Sequence, residues 1–223
     1  MTTFQINLFK GHPIIKDGEN IILIDTGAPS TIHFANNLLF CSDNFSCSTN
    51  YMGLTVQKIS EMLGTEITTL IGADILSNFK VLLDYKNKVV IFSKGETHSL
   101  SNETTISSFM GIPIIELTVD NQRLKFFLDT GAKLSYLDSK LTSQHTSIGT
   151  EEDFYPGVGK FETECYEILT NFGSKEFQVK YGNLPSLLQM TLMLGGTNGI
   201  IGFDFFNNFK VCLDIKNGKI KYE

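Results

Sequence analysis

Apolar and polar residues alternate in short segments along this chain, and Gly or Asn residues separate many of the segments. Residues 4–8 read Phe-Gln-Ile-Asn-Leu, which is the alternation of an extended strand with one apolar face. Unbroken apolar runs at 21–24 and 126–128 also predict strands. Turn sequences occur between such runs, for example Lys-Asp-Gly at 16–18 and Lys-Asn-Gly at 216–218. The pattern therefore predicts a mostly β protein.

Helical periodicity is confined to a few segments. From Leu54 to Leu63 the apolar residues are spaced as on one face of a helix, and Gly64 follows as a C-terminal stop. Short helical turns are also predicted at 73–76 and at 203–206. Plain core packing is the simplest role for these two short pieces.

Three segments of the first half of the chain recur in the second half in the same order. Residues 9–15 match 109–115 at five of seven positions, and residues 78–87 match 208–217 at eight of ten positions. The tetrapeptide Asp-Thr-Gly-Ala lies between them in both copies. The offset between copies rises from 100 to 104 and then to 130 residues. These ordered matches indicate internal duplication of a whole lobe, with most of the added residues of the second copy after its Asp-Thr-Gly.

The repeated tetrapeptide supplies the candidate chemistry. Its copies, Asp25–Ala28 and Asp129–Ala132, each follow an apolar strand, and the Gly permits a sharp turn. Two such turns facing each other would place two carboxylates around one water molecule, as general acid–base catalysis by a carboxyl pair requires. An Asp before Gly is also an ordinary turn former. Two copies, each followed by its own apolar-apolar-Gly at 70–72 and 200–202, favour the catalytic interpretation.

The order Asp-Thr-Gly-Ala, apolar-apolar-Gly, short helix and strand resembles that of retropepsins, the retroviral-type aspartic proteases. Retropepsins have one such lobe per chain, whereas this chain resembles two retropepsin-like lobes fused, over residues 4–222. The resemblance implies two homologous acid-protease β-barrel lobes with an active-site cleft between them. The expected boundaries are 1–92 for the N-terminal lobe, 93–108 for a polar linker and 109–223 for the C-terminal lobe.

The resemblance also implies supporting roles around the catalytic pair, Asp25 and Asp129. The Thr of each tetrapeptide would hydrogen-bond across the lobe interface, and the Gly after it would let backbone groups approach the pair. The Gly of each apolar-apolar-Gly would let the strand holding each Asp loop pass closely beneath it. With the Ala that ends each tetrapeptide, the expected supporting residues are Thr26, Gly27, Ala28, Gly72, Thr130, Gly131, Ala132 and Gly202.

A lid over the substrate is a further expectation from the resemblance. Residues 154–164 look like a hairpin whose Gly-rich tip resembles a retropepsin flap, and Tyr155 or Tyr166 could contact substrate. An ordinary surface hairpin is the alternative. Ile71 follows Asp25 by only 46 positions, so a second flap in the first lobe is not expected, unlike retropepsins, and unlike pepsins, whose flap belongs to that lobe. The candidate flap residues are Tyr155, Pro156, Gly157, Val158 and Gly159.

Composition and charge exclude several classes of partner. The net charge of −6 disfavours a nucleic-acid surface, which needs clustered Lys and Arg. The longest apolar runs, such as 89–92, are far too short to span a membrane. Residues 1–9 lack the basic start and apolar core of a signal peptide, which predicts a cytoplasmic protein.

The cysteines and histidines form no metal-ligand pattern, so neither a metal nor a cofactor is expected. Cys212 lies in a strand-like segment and is expected in a core as a small hydrophobe. Cys41 and Cys47 lie where pepsins often have a small disulfide loop. Because a signal peptide is not visible, free thiols are favoured over a disulfide there.

Together these features predict an aspartic endopeptidase that cleaves extended polypeptides and, with both lobes in one chain, is a monomer. Pepsins usually have Ser or Thr after Asp-Thr-Gly, where this chain has Ala28 and Ala132. Loss of the hydroxyls predicts a raised pKa for the carboxyl pair and activity nearer neutral pH. A catalytically silent peptide-binding module with the same fold is the alternative. A processing enzyme restricted to one partner protein is a third possibility.

Overall fold

The computed structural model of this protein describes residues 1–95, 99–155 and 158–223, and it is mostly β, as the sequence predicts. The first half of the chain contains β1 (Thr2–Gln5), β2 (Asn7–Phe9), β3 (His12–Asp17), β4 (Asn20–Ile24), β5 (Ile32–His33), β6 (Asn37–Phe40), β7 (Asp43–Ser46), α1 (Val56–Leu63), β8 (Thr69–Ile71), α2 (Ala73–Leu76), β9 (Lys80–Asp84) and β10 (Val89–Ser93).

The second half contains longer strands and an additional hairpin. Its elements are β11 (Asn102–Thr105), β12 (Ser107–Phe109), β13 (Ile112–Val119), β14 (Gln122–Leu128), β15 (Ser135–Leu137), α3 (Ser139–Thr142), β16 (Gly149–Tyr155), β17 (Gly159–Phe172), β18 (Lys175–Asn183), α4 (Ser186–Gly195), β19 (Gly199–Ile201), α5 (Phe203–Asn208), β20 (Val211–Asp214) and β21 (Lys219–Tyr222).

Two sheets, one from each half, have corresponding strand orders. The N-terminal sheet has the order β2-β3-β4-β8-β5, and the C-terminal sheet has the order β12-β13-β14-β19-β15-β18-β17-β16. Within each sheet the strand that leads to an Asp-Thr-Gly runs parallel to the strand of the apolar-apolar-Gly segment. Ile24 is thus paired with Ile71, and Leu128 with Ile201. Each Asp therefore follows a strand that is paired on both sides.

A third sheet contains strands from both halves and is called the shared sheet here. Its order is β1-β10-β9-β20-β21-β11, and the halves meet where β9 pairs antiparallel with β20, for example Leu82 with Cys212. Strand β11 lies within residues 93–108, the expected linker, and pairs with β21. Part of that segment is therefore a strand of the shared sheet rather than an unstructured connection.

The three predicted helices are confirmed. Helix α1 begins after Thr55, whose hydroxyl accepts a hydrogen bond from the backbone of Lys58, and it ends at Gly64 with a left-handed φ of 76°. Helices α2 and α5 occupy the two short predicted segments, and α5 continues to Asn208. Helices α3 and α4 were not predicted. The sequence of α4 is apolar on all sides, so it lacks the periodicity that indicates an amphipathic helix.

Aromatic side chains dominate the main core between the sheets. In the first half Phe40 is fully buried and its ring lies 4.9 Å from that of Phe92. In the second half Phe205 and Phe206 of α5 are buried, which agrees with the core-packing role given to that segment. Cys212 is also buried, as expected. These contacts fix the shared sheet against the helices that follow each apolar-apolar-Gly.

Cys41 and Cys47 are free thiols in this structure and partly buried. Burial raises the pKa of the Cys41 thiol to about 11, so it is a poor nucleophile. Over residues 1–95, 99–155 and 158–223, three or more His, Cys, Asp or Glu side chains nowhere come together as a possible metal-ligand set. Among the described helices, none is long and apolar enough to cross a bilayer.

Candidate active site

The catalytic candidates Asp25 and Asp129 stand at equivalent positions, directly after β4 and β14. The backbone N–H of Asp25 donates to the carbonyl of Ile71 at 3.0 Å, and that of Asp129 donates to the carbonyl of Ile201 at 3.0 Å. These bonds extend the parallel strand pairing by one residue on each side. Each Asp is thus held at a strand end before its chain turns at the following Gly.

Thr26 and Thr130 join the two Asp loops through four reciprocal hydrogen bonds. Each hydroxyl donates to a carbonyl of the opposite half at 2.7 Å, that of Leu128 for Thr26 and that of Ile24 for Thr130. Each hydroxyl also accepts from the backbone N–H of the other Thr at 2.9 Å. Both Thr side chains are 1% exposed, so water cannot substitute for these partners.

Thr26→Val is expected to lower the free energy of unfolding by about 2–5 kcal/mol. The substitution leaves the Leu128 carbonyl and the Thr130 N–H buried without partners, and each such group costs about 1–3 kcal/mol. Urea unfolding of both proteins measures the difference. Thr105→Val is the matched control because Thr105 is exposed on β11, and it should lie within about 0.5 kcal/mol of wild type. Equal stability of the two variants would contradict this role.

Gly27 and Gly131 bring the backbone of each loop against the carboxylate of the other half. A Cβ built on Gly131 would lie 2.6 Å from Cγ of Asp25, and one on Gly27 would overlap the carboxylate of Asp129. Real Cβ atoms essentially never make contacts this short. Only Gly therefore fits between the facing loops, and the two carboxylates lie close enough to hydrogen-bond to each other.

Hydrogen bonds from the loops orient each carboxylate. Oδ1 of Asp25 accepts from the N–H groups of Gly27 at 2.9 Å and Ala28 at 3.0 Å, and Oδ1 of Asp129 accepts from the N–H of Gly131 at 2.7 Å. Burial and the neighbouring Asp129 carboxylate raise the pKa of Asp25 well above its usual value. Burial also raises the pKa of Asp129. The pair consequently retains a shared proton at higher pH than two separate Asp side chains would.

Gly72 and Gly202 lie directly beneath the Asp loops. A Cβ on Gly72 would lie 2.7 Å from the backbone carbon of Ser30, so this close approach also requires Gly. The N–H of Gly72 donates to the hydroxyl of Thr31 at 3.0 Å, and that of Gly202 to the hydroxyl of Ser135 at 3.1 Å. These two hydroxyl residues were not predicted from the sequence. Thr31 and Ser135 are separated by 104 residues, as the two tetrapeptides are, and this equal separation could have identified them as equivalents.

A narrow apolar pocket opens beside Asp129. Helix α4 forms one wall, and Tyr155 at the end of β16 forms part of another. Its lining residues are Gly27, Ile112, Phe127, Asp129, Tyr155, Leu184, Leu188, Thr191, Leu192 and Ile200. The pocket is therefore next to a candidate catalytic carboxylate and suited to an apolar side chain.

Strands β16 and β17 form a hairpin over this region, longer than the predicted hairpin of residues 154–164. Its pairing runs from Gly149 opposite Cys165 to Tyr155 opposite Gly159. Burial and the two nearby Asp carboxylates raise the pKa of Tyr155, so its hydroxyl remains protonated there. The other candidate substrate contact, Tyr166, instead lies buried in the main core, with its hydroxyl on Glu164.

Residues on either side of the hairpin tip contact both halves of the protein. Phe154 packs against the apolar cluster of the N-terminal sheet and α1, whereas Tyr155 and Val158 pack against the cluster of the C-terminal sheet and α4. Gly159 has a φ of 86° and ends the turn. The candidate tip residues Pro156 and Gly157 lie outside the described residues.

Protein-family models and curated protein sequences give no match to this chain. Among solved structures, an aspartic proteinase from Irpex lacteus is similar over 99% of this chain and 96% of its own, at 12% identity and a TM-score of 0.52. The chain has the aspartic protease fold. A retropepsin-like aspartic protease from Rickettsia conorii is similar over 56% of this chain and 96% of its own, at 19% identity and a TM-score of 0.39.

Within this aspartic protease fold, a buried carboxylate anchors the β16–β17 hairpin beside the second Asp loop. Asp153 is 6% exposed, accepts a hydrogen bond from the hydroxyl of Tyr136 and lies 3.7 Å from the ammonium of Lys133. Lys133 also donates to the carbonyl of Glu152 at 2.6 Å. The network was not predicted from the sequence, because only the fold brings Asp153 of β16 to Lys133 and Tyr136 of the second Asp loop and β15.

Proposed function

We propose that this protein is an aspartic endopeptidase that hydrolyses peptide bonds in extended polypeptides. The observation that supports this best is the facing pair of carboxylates, Asp25 and Asp129, on loops that Thr26 and Thr130 lock together. Two carboxyls with raised pKa values at one site are suited to hold one proton and to activate one water molecule.

In the proposed reaction the ionised member of the pair takes a proton from the water, whose oxygen attacks the carbonyl carbon of the scissile bond. The protonated member donates its proton to the carbonyl oxygen. Collapse of the tetrahedral intermediate breaks the C–N bond, and the leaving nitrogen receives the proton that the water gave up. The supporting residues keep the carboxyls in place and do not exchange protons. The pair acts as a unit, so base and acid are not assigned to single residues.

We also infer that the fold arose by internal duplication, with homologous lobes at 1–92 and 109–223 joined through 93–108. The corresponding strand orders of the N-terminal and C-terminal sheets support this inference. The equivalent bonds of Gly72 to Thr31 and of Gly202 to Ser135 support it as well. Because one chain supplies both carboxylates, the proposed enzyme is a monomer.

The β16–β17 hairpin is the proposed flap, with Tyr155, Val158 and Gly159 near its tip. Its position against both apolar clusters supports a lid over the pocket beside Asp129. The first half has the β6–β7 hairpin at the corresponding place, but Leu38 and Phe40 of that hairpin are buried in the main core. We therefore propose a single flap in the C-terminal lobe.

The pH optimum of cleavage is expected to lie above about pH 3 and closer to neutral pH. Activity requires one protonated and one ionised carboxyl. Burial raises both pKa values, and repulsion by the Asp129 carboxylate raises that of Asp25 further, so the singly protonated form persists to higher pH. The pH profile of kcat/KM on a single peptide measures this window. A sharp optimum below about pH 3, more than half a unit under the reference pKa of Asp, would contradict the expectation.

Digestion of unfolded casein from acid to neutral pH, with wild type beside Asp129→Asn, tests the proposed function. Cleavage by wild type alone would support an endopeptidase that uses this pair. Equal cleavage by both proteins would overturn it. If neither cleaves casein, binding of peptides to wild type without turnover would favour the silent binding module, and turnover of only a few sequences in a peptide library would favour a restricted processing enzyme.

A further inference from the structure

Among the positions that differ between the two sides of the carboxyl pair, one carries an ionisable side chain on one side and an aliphatic side chain on the other. Ile112 lines the apolar pocket beside Asp129 and contributes to the cluster around α4. Ile112 follows the β12–β13 turn, and at an offset of 100 residues His12 follows the β2–β3 turn. Each residue pairs with a Phe across its turn, Phe109 or Phe9. The structure thus places an imidazole where the other side has an aliphatic side chain.

His12 contacts the Asp loop of the opposite half. Its ring lies close to the backbone of Gly131, the equivalent of Gly27 in the pocket beside Asp129, and this contact raises the pKa of His12. A Cβ on Gly131 would touch Asp25, so His12 lies next to the Asp25 side of the pair.

Nδ1 of His12 has no hydrogen-bond partner among the described residues. The side chain is 4% exposed, and Nδ1 is fully buried. Burial lowers the pKa of His12, and the ammonium groups of Lys133 and Lys10 lower it further, whereas the Gly131 backbone and the Asp153 carboxylate raise it by less. The ring is therefore neutral at neutral pH, and Nδ1 is left able to hydrogen-bond to a ligand.

The proposed flap packs against the ring of His12. The ring centroid of Phe154 lies 6.1 Å from that of His12, and Phe154 comes directly before Tyr155, which lines the pocket on the other side. A polypeptide that enters beneath the hairpin has to displace these contacts. A substrate side chain that takes the place of Phe154 then lies beside an imidazole with an unpartnered nitrogen, whereas on the Asp129 side it meets an apolar wall.

We propose that His12 is a specificity-determining residue whose Nδ1 accepts a hydrogen bond from a hydroxyl or amide side chain of the substrate on the Asp25 side of the scissile bond. The inference rests on the proposed endopeptidase function and specifies its substrate class. The preferred polypeptides have an apolar residue on one side of the cleaved bond and Ser, Thr, Asn or Gln on the other.

Matched peptides that differ only by Thr or Val test this with the wild-type protein at pH 7. Thr and Val have nearly the same shape, so the hydroxyl is the main difference. Scanning the pair through the positions on both sides of the cleaved bond should reveal one position where Thr raises kcat/KM about tenfold over Val. Equal rates for Thr and Val peptides at every position would overturn the inference. Because this comparison needs no variant, it remains decisive if substitution of His12 prevents folding.

His12→Ile, which copies the residue at Ile112, identifies the side chain responsible. The variant should lose the Thr preference at that one position and keep the profile elsewhere. A purely structural role for His12 would lower kcat/KM for Thr and Val peptides by the same factor, which would overturn the inference. Failure of wild type to cleave any peptide would overturn the endopeptidase proposal and this inference with it. Cleavage without a Thr preference would overturn this inference alone.

Discussion

Asp129→Asn is expected to lower kcat/KM for casein or peptide cleavage by about 10³-fold or more, within the range attributed to general acid–base groups. An amide cannot take a proton from water, and it cannot share one with Asp25. Asp25→Asn should lower activity by a similar factor, because the two carboxyls act as one unit. The reciprocal bonds of Thr26 and Thr130 do not involve the carboxylates, so the loops should keep their positions. Initial rates against enzyme concentration measure the loss.

The stability of Asp129→Asn separates lost chemistry from lost folding. Burial raises the pKa of Asp129 in the folded protein, so between its unfolded and folded pKa values the folded state binds more protons. Stability contributed by this group is therefore present at acid pH and is lost as pH rises through the folded pKa. The Asn variant should be at least as stable as wild type at pH 7, with the difference disappearing at acid pH. Marked destabilisation at pH 7 would contradict this assignment.

Asp138→Asn is the matched control for the charge change. Asp138 caps α3 through a hydrogen bond from the N–H of Lys140 at 3.0 Å. Asn caps helices as well as Asp, and Asp138 is not in contact with the carboxyl pair in the described structure. Activity of this control should stay within about twofold of wild type, whereas a loss as large as that of Asp129→Asn would show that any Asp substitution impairs the protein.

Most of the site was predictable because the chain contains it twice. The strands before Asp25 and Asp129 are continuous apolar runs, each Asp is followed two positions later by a Gly, and Gly72 and Gly202 each follow their own apolar pair directly. The same sequence repeat also predicts elements that periodicity alone does not. Adding the offset of 130 to residues 56–63 of α1 gives 186–193, which lies within α4. Helix α4 was not predicted because its own sequence lacks helical periodicity, and only its equivalence to α1 indicates a helix there.

Features specific to one half were harder to predict. Strand β16 is mostly polar, so it has no apolar alternation that distinguishes it from a loop. The Asp153 network joins β16 to β15 and to the second Asp loop, and these partners become neighbours only after folding. His12 and Ile112 differ within a segment that matches at five of seven positions, and such a difference acquires meaning only when both residues are seen beside equivalent Gly residues. The sequence repeat thus predicts the shared frame, and the asymmetry that would set specificity requires the structure.

Gly131→Ala is expected to lower kcat/KM by about 10²-fold or more while the protein remains folded. The added methyl would lie 2.6 Å from Cγ of Asp25 and 2.7 Å from both of its oxygens, so the two loops must separate or the carboxylate must rotate away. A displacement of about 1 Å at reacting groups is sufficient for such a loss. Gly131 does not have a positive φ, so the effect is steric rather than conformational. The free energy of unfolding should fall by only about 1–3 kcal/mol, as for other overpacked sites.

Gly95→Ala is the matched control for this substitution. Gly95 also lacks a positive φ, and the atom nearest to its added Cβ is the hydroxyl of Ser93 at 3.8 Å, an ordinary van der Waals distance. Its activity should match wild type. If Gly131→Ala also cleaves at the wild-type rate, the carboxylates tolerate separation of the loops, and a single water held between them cannot be the nucleophile. If the activity of Gly131→Ala falls while its unfolding curve stays close to that of Gly95→Ala, the loss is due to the position of Asp25 and not to a weakened fold.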